Sequence, residues 1–183
     1  MKNKILVCYK SVTGFTKGYA EMIAREIECA IRDVKDVTPE ILSQYDIVVF
    51  GSRFHAGTVD GLKRIKDYVE KSKVKNFIIF ATGAMPNAAE GTIRQAWENN
   101  LNSDELIHIP HFYMPGGLCY EKMPLSEKIL MKTFAAVMKK KLRKKKDKTE
   151  EERQFERVIS TSYDISSKEY VKPLISLLKE KYM

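Results

Sequence analysis

The sequence predicts an α/β domain in which a parallel β-sheet is covered by helices on both faces. Short apolar segments alternate with segments whose apolar residues recur at three- and four-residue steps, as strands alternate with amphipathic helices. The two clearest strands, Asp46–Gly51 and Phe77–Ala81, have apolar centres without polar alternation, which is typical of strands buried on both faces. A length of 183 residues suits one such domain.

Five strands and their connecting helices are predicted in chain order. Tyr19, Ala20, Ile23, Ala24 and Ile27 give the first helix its apolar face, and Thr38 with Pro39 marks the start of the second. The predicted elements are strand Lys4–Tyr9, helix Thr16–Ile27, strand Glu28–Arg32, a helix from Thr38, strand Asp46–Gly51, helix Val59–Lys71, strand Phe77–Ala81, helix Gly91–Asn99 and strand Leu106–Tyr113.

Residues 114–183 are less regular, and we interpret them as an extension of the same single domain, which then spans residues 1–183. Leu125 to about Lys146 is predicted to be a helix, and so is Ser167–Lys181. Ser166 and Glu169 have the spacing of a capping box. Pro173 is expected to kink the last helix or to delay its start.

Composition excludes several classes of protein. Cys8, Cys29 and Cys119 are far apart and odd in number, so neither a disulfide framework nor a zinc site is predicted. The apolar runs are too short for a bilayer span or a signal-peptide core, so a cytoplasmic location is expected. The net charge of +8 indicates attraction to acidic partners.

The strongest functional signal is the segment from Ser11 to Thr16, between the first strand and the first helix. Ligands of open parallel sheets bind beyond the carboxyl ends of the strands. A loop that enters a helix there offers unpaired amides and the positive end of the helix dipole. The hydroxyls of Ser11, Thr13 and Thr16 and the close approach that Gly14 permits complete a cradle for a phosphate monoester.

Other phosphate motifs do not match this loop. Gly14 is its only glycine, so it has neither the P-loop spacing nor the dinucleotide spacing of glycines. Tyr9 and Lys10 stand where receiver domains carry acids. The remaining alternative is a polar turn whose Ser and Thr side chains only cap the helix.

The stretch Tyr9-Lys10-Ser11-Val12-Thr13-Gly14-Phe15-Thr16 resembles the FMN-phosphate loop of flavodoxins, with its S/T-x-T-G-x-T pattern. The resemblance implies a flavodoxin-like, doubly wound, five-stranded parallel sheet of order 2-1-3-4-5 that binds FMN. Two further segments stand where flavodoxins carry loops that flank the isoalloxazine ring: Gly51-Ser52-Arg53-Phe54-His55-Ala56-Gly57 and Ala81-Thr82-Gly83-Ala84-Met85-Pro86-Asn87.

These loops imply roles for individual residues. The amides of Thr82, Gly83, Ala84 and Met85 are candidates for the pyrimidine edge. Phe54 and His55 are candidates for ring packing, and Ser52 lies in the same loop. Ala56-Gly57 is a candidate for presenting a carbonyl to N5. Val12 and Phe15 belong to the phosphate loop.

Two side chains of the second loop keep alternative roles open. His55 either shields the ring or transfers a proton, and Arg53 contacts the phosphate, a substrate carboxylate or solvent. Arg53 replaces a proline common in that loop, and the loop has no tryptophan; Trp97, the only one in the chain, is predicted to lie in the core.

One branch of the family is favoured. Pro115-Gly116-Gly117-Leu118-Cys119-Tyr120, followed by Leu125–Met138, is similar to flavodoxin-like protoporphyrinogen dehydrogenases that reduce menaquinone. This implies an FMN oxidoreductase acting on a small substrate such as a porphyrinogen, with a quinone as acceptor. The alternatives are a one-electron carrier between redox proteins, although such carriers are usually acidic, and a binding module without cofactor.

Lys139–Lys148 contains eight Lys or Arg residues in ten positions. It follows apolar residues at helical spacing, including Leu130, Phe134 and Val137, as in helices that lie on anionic membranes. Nucleic acid is disfavoured because no aromatic residue interleaves the cluster. Alternatively, the apolar face packs on the sheet, and the solvated lysines are balanced by Glu150, Glu151 and Glu152.

Overall fold

The structure, a computed structural model, describes residues 3–183, with the side chain of Glu151 left out. The elements are β1 Ile5–Tyr9, α1 Phe15–Ile27, β2 Ala30–Asp33, α2 Pro39–Leu42, β3 Ile47–His55, β4 Thr58–Val59, α3 Leu62–Ser72, β5 Asn76–Gly83, α4 Glu90–Glu98, α5 Ser103–His108, β6 His111–Pro115, β7 Gly117–Leu118, α6 Leu125–Lys144, α7 Glu150–Val158, β8 Tyr163–Asp164 and α8 Lys172–Tyr182, with 3-10 turns at Val34–Asp36, Tyr120–Lys122 and Lys168–Val171.

Two compact units divide the chain. Unit 1 comprises residues 1–116 and 166–183, and unit 2 comprises residues 117–165. That residues 114–183 extend one single domain stays a prediction.

The main sheet of unit 1 confirms the predicted α/β class and strand order. Its strands follow the order β2-β1-β3-β5-β6, all parallel, which is 2-1-3-4-5 when the short β4 is left out. β4 pairs antiparallel with the end of β3. The connection after β1 leads to β2 on one side of the sheet, and the connection after β3 leads to β5 on the other side. The topological switch point therefore lies between the carboxyl ends of β1 and β3, where open α/β sheets bind ligands.

The central strands of this sheet are buried on both faces, as their unbroken apolar sequences predict. On one face Val7, Val49 and Phe80 pack with α1 and α8. On the other face Leu6, Phe50 and Ile79 pack with residues of α3 and α4, among them Ile65 and Trp97. Trp97 is 5% exposed, as predicted for a core residue.

The predicted strand Leu106–Tyr113 is wrong in its first half. Leu106 lies in α5, whose start is fixed by a capping box: the Asn102 side chain accepts from the Glu105 amide, and Glu105 accepts from the Asn102 amide. The strand runs instead from His111 to Pro115.

The other helix predictions need smaller corrections. The helix predicted from Val59 begins at Leu62, because Val59 pairs with Phe54 in a hairpin. Ser167, not Ser166, is the N-cap of the 3-10 turn Lys168–Val171, and its side chain accepts a hydrogen bond from the Glu169 amide. Pro173 delays the start of the last helix, as expected, because α8 begins only at Lys172.

Unit 2 contains the predicted helix α6 and a second helix, α7, which was not predicted from the sequence. Thr149 and Glu152 form the capping box that starts α7. The Tyr120 hydroxyl donates to the Ile159 carbonyl at 2.7 Å, and Ser162 accepts from the Tyr120 amide at 2.9 Å. Among the helices within residues 3–183, none is long and apolar enough to cross a membrane.

Candidate functional site

The loop from β1 to α1 has the backbone features of an anion site. Gly14 precedes the helix with a φ of 103°, a left-handed conformation that favours glycine. The Ser11 hydroxyl accepts from the Gly14 amide at 3.2 Å and so closes the turn. Within the described residues no side chain caps α1, and its first turn contains no acid. The first amides of α1 therefore keep both their donors and the dipole available to an anion.

The hydroxyls of this loop are placed differently from one another. Ser11 and Thr13 are partly exposed, as is Val12, whereas Thr16 is only 2% exposed. The Thr16 hydroxyl lies 2.8 Å from the Thr82 hydroxyl. Thr16 thus joins the first predicted loop to the third, and Ser11 and Thr13 remain the accessible alcohol groups.

The second predicted loop is a tight hairpin. β3 continues to His55, and Ala56 and Gly57 turn the chain with φ values of 48° and 83°. Two consecutive residues with positive φ form the type I′ turn that matches the twist of paired strands. The Thr58 hydroxyl donates to the His55 carbonyl at 2.8 Å. Ala56 is exposed and holds a conformation that is unfavourable for a residue with a Cβ atom.

Asn100 clamps this hairpin, a role that was not predicted from the sequence. Its Oδ1 accepts from the Val59 amide at 2.7 Å, and its Nδ2 donates to the Gly57 carbonyl at 2.8 Å and to the Ala96 carbonyl at 2.6 Å. Because the Gly57 carbonyl is engaged, the Ala56 carbonyl is the better candidate of the two for a ligand. An asparagine just after a helix carries no sequence signal for this role.

A cluster of three charges, Lys10, Arg53 and Asp60, joins the first and second loops. Lys10 Nζ lies 2.6 Å from Asp60 Oδ1, and Arg53 Nε lies 3.6 Å from Asp60 Oδ2. The Lys10 amide also donates to the Gly51 carbonyl at 2.9 Å. With two cations and one acid, the cluster carries net positive charge beside the β1–α1 loop. Ser52 is fully buried and donates to the Asp60 carbonyl at 2.6 Å, so it supports the hairpin.

The third predicted loop is held by Tyr113 of β6. The Met85 amide donates to the Tyr113 hydroxyl at 3.1 Å, and this hydroxyl donates to the Met85 carbonyl at 2.8 Å. The Met85 amide therefore already has a partner, although it was predicted to contact a ligand. Thr82 is buried, Gly83 and Ala84 are partly exposed, and the Gly83 carbonyl accepts from the Gly116 amide at 2.8 Å.

Phe54 belongs to an aromatic cluster beneath these loops. Its ring stacks on Tyr113 at 5.8 Å between centroids and meets Trp97 edge-on at 5.0 Å. His55 and Phe15 are partly exposed. The contact of Phe54 and His55 with a bound ring stays a prediction. Met114 is fully buried and fills the core.

The pKa values of two thiols argue against cysteine chemistry at the sheet. Burial raises the pKa of Cys8 to about 12 and that of Cys29 to about 11. A thiol is nucleophilic only as the thiolate. Cys8 and Cys29 are therefore inert at neutral pH.

The predicted site residues thus converge at the carboxyl edge of β1, β3 and β5. The Thr16–Thr82 hydrogen bond joins the first and third loops, and the Lys10–Asp60–Arg53 cluster joins the first and second. An uncapped helix start, accessible alcohol groups and nearby cations fit a phosphate monoester. The hairpin and the third loop offer backbone groups for a polar ring edge.

Comparison with known proteins supports this fold. A family model described as a flavodoxin domain matches residues 6–149. The uncharacterized protein MJ0298 of Methanocaldococcus jannaschii is 33% identical over 85 residues, which cover 45% of this chain and 56% of that protein's length.

Solved structures are similar at low sequence identity. They include a flavodoxin from the domain Archaea (18% identity, TM-score 0.39, covering 62% of this chain and 85% of that one). Others are a WrbA-like flavodoxin from Agrobacterium tumefaciens (18%, 0.41, 69% and 88%) and oxidised flavodoxin 1 from Bacillus cereus (19%, 0.39, 69% and 90%). The fold assignment rests on the strand order and register described above. Since the family model spans well over half of its length, the chain belongs to the flavodoxin domain family.

Proposed function

We propose that this protein binds FMN non-covalently and acts as a flavin-dependent oxidoreductase. The start of α1 carries the proposal: in the described residues it is uncapped, it has no acid in its first turn, and Gly14 bends the backbone toward it. These features suit a phosphate dianion, which the amides of α1 and the hydroxyls of Ser11 and Thr13 would hold. Lys10 and Arg53 add long-range attraction.

The ring would lie between the Ala56–Gly57 turn and the third loop. The Ala56 carbonyl is our candidate for the N5 edge, and the loop from Gly83 to Met85 for the pyrimidine edge. Asn100 and Tyr113 hold these two walls in place through their hydrogen bonds to Gly57 and Met85. Bound FMN would supply electron or hydride transfer, while the protein positions it and sets its electrostatic surroundings.

The finer proposal is that a small organic molecule, such as a porphyrinogen, is the electron donor and a quinone the acceptor. Two observations support an enzyme over a one-electron carrier. The chain is strongly basic, with a net charge of +8, whereas carriers of this family are usually acidic. Unit 2 adds 49 residues, 117–165, beyond the sheet.

Cofactor binding is tested with the full-length chain by titrating FMN and riboflavin separately and following flavin fluorescence. Thr13→Ala should weaken FMN binding by about tenfold, since a hydrogen bond to a charged group contributes about 1.5 kcal/mol or more. Riboflavin, which has no phosphate, should bind both proteins equally. Thr133→Ala, on the exposed surface of α6, is the matched control. If Thr13→Ala weakens the two flavins equally, the loop does not hold the phosphate.

The reaction is tested separately with the FMN-loaded protein. Anaerobic mixing with protoporphyrinogen should reduce the flavin, and a menaquinone analogue should reoxidise it over many turnovers. A protein that binds FMN but exchanges electrons only with other redox proteins would instead be a carrier.

A further inference from the structure

Helix α6 exposes an unusual amount of apolar surface. Eight large hydrophobic residues are exposed within residues 3–183, and five of them lie on α6: Leu125, Ile129, Leu130, Phe134 and Val137. Their exposed fractions run from 47% for Phe134 to 74% for Leu125. Ala135 and Leu142, on the other side of the helix, are buried. Clustered exposure of this kind marks an interaction surface.

The apolar stripe continues into lysines along the same face. Leu130, Phe134 and Val137 are followed by Lys141 and Lys144, at successive steps of four, three, four and three residues. Such steps keep side chains on one side of an α-helix. Ile129 and Lys140 border this stripe, each one position before one of its members, Leu130 and Lys141. We call the surface formed by Ile129, Leu130, Phe134, Val137, Lys140, Lys141 and Lys144 the α6 face.

In the residues that the structure describes, the lysines of the α6 face lack the ion pairs that three neighbouring cations make with α7. Lys145 pairs with Glu152 at 2.8 Å, and Lys148 pairs with Glu156 at 2.7 Å, so α7 neutralises them. Arg143 Nε also lies 3.7 Å from Glu156. For the part of the chain that is described, no ion pair involves Lys140, Lys141 or Lys144, which are all exposed.

We propose that the α6 face docks on the surface of a bilayer that contains anionic phospholipid. The apolar half would enter the boundary between headgroups and acyl chains, and the three lysines would lie at the level of the lipid phosphates. Charge complementarity selects this occupant. The same segment of a second copy would offer these lysines no acidic partner, because residues 128–146 contain no acid. A nucleic acid would leave the four apolar residues of the α6 face exposed.

The proposal is tested by flotation with vesicles of phosphatidylcholine alone and with 30% phosphatidylglycerol. The full chain should float only with the anionic vesicles. The triple variant Lys140→Gln/Lys141→Gln/Lys144→Gln should lose about 100-fold in partition coefficient, at about fivefold per lysine. Leu130→Ser/Phe134→Ser should lose at least 100-fold, because each buried side chain contributes at least about tenfold.

Matched controls test whether vesicle binding depends on the position of the replaced residues, and not only on the charge or apolar surface that is removed. Lys35→Gln/Lys63→Gln/Lys75→Gln removes the same charge from exposed positions of unit 1, and Ile107→Ser removes another exposed apolar residue, on α5. Both should bind vesicles like the parent. Far-ultraviolet circular dichroism establishes that each variant is folded.

Three results would overturn the proposal: failure to float with anionic vesicles, equal losses in the unit 1 controls, or a parent dimer that Leu130→Ser/Phe134→Ser dissociates in the absence of lipid. The last result would assign the α6 face to a second copy of the chain. Vesicle binding is measured with and without FMN, so its outcome does not depend on the proposed cofactor.

Discussion

Replacing Asn100 by alanine should destabilise the protein through the hairpin that Asn100 clamps. The change removes hydrogen bonds to the Val59 amide and to the Gly57 and Ala96 carbonyls. Val59 is only 4% exposed, so its amide would lose its partner where water has little access. An unsatisfied buried donor costs about 1–3 kcal/mol, and each of the two lost hydrogen bonds to carbonyls costs about 1 kcal/mol more, so the net loss is about 3–5 kcal/mol.

Urea denaturation followed by circular dichroism measures this loss as a change in the free energy of unfolding. For a chain of this length it corresponds to a decrease in melting temperature of roughly 6–20 °C. Asn99→Ala is the matched control, because Asn99 is the adjacent asparagine and is exposed. Asn100 does not clamp the hairpin if the two variants differ by less than about 0.5 kcal/mol, the usual effect of a surface substitution.

Three further predictions concern other parts of unit 1. Tyr113→Phe removes both hydrogen bonds to the Met85 backbone, so it should lower the free energy of unfolding by about 1–2 kcal/mol and weaken FMN binding, whereas Tyr45→Phe should do neither. Burial acts to raise the pKa of Glu105, but hydrogen bonds from Lys66 and the Asn102 amide outweigh it and lower this pKa below its usual 4.5. The stability that Glu105 contributes is therefore present above pH 4.5 and is lost as the pH falls further. Glu105→Gln should make the free energy of unfolding less dependent on pH in this acidic range. Burial raises the pKa of Cys8 to about 12. Iodoacetamide at pH 8 should therefore leave Cys8 unmodified in the folded protein and modify it in urea, as peptide mass spectrometry would detect. The free energy of unfolding should also fall as the pH rises from 9 toward 12, because only the unfolded chain releases the thiol proton in that range.

The sheet could be predicted from the sequence because its strands are buried on both faces. Ile47–Phe50 and Phe77–Ala81 have no polar residue that would face solvent, and this pattern depends only on local sequence. The helix α5 could not be predicted from periodicity, because it has six residues and its start depends on the reciprocal Asn102–Glu105 hydrogen bonds. Leu106 and Ile107 suit a strand equally well.

The position of the candidate site could be predicted from the sequence, but the contacts that support it could not. The β1–α1 loop is a local motif, and its glycine has the left-handed conformation that the motif requires. The residues that support the site come from distant positions: Asp60 pairs with Lys10 across 50 residues, and Asn100 reaches Gly57 across 43. These contacts can be identified only in the folded structure, because the strand order of the sheet brings the paired residues together.

We propose that the β1–α1 loop holds the FMN phosphate as a dianion. Phosphorus-31 NMR of the stoichiometric FMN complex, recorded between pH 5.5 and 8, tests it most directly. We predict a resonance displaced from that of free FMN and constant over this range, because amide donors and the α1 dipole favour the dianion over the monoanion, whose free pKa is about 6. A resonance that coincides with free FMN and titrates near pH 6 would mean that the loop does not hold the phosphate.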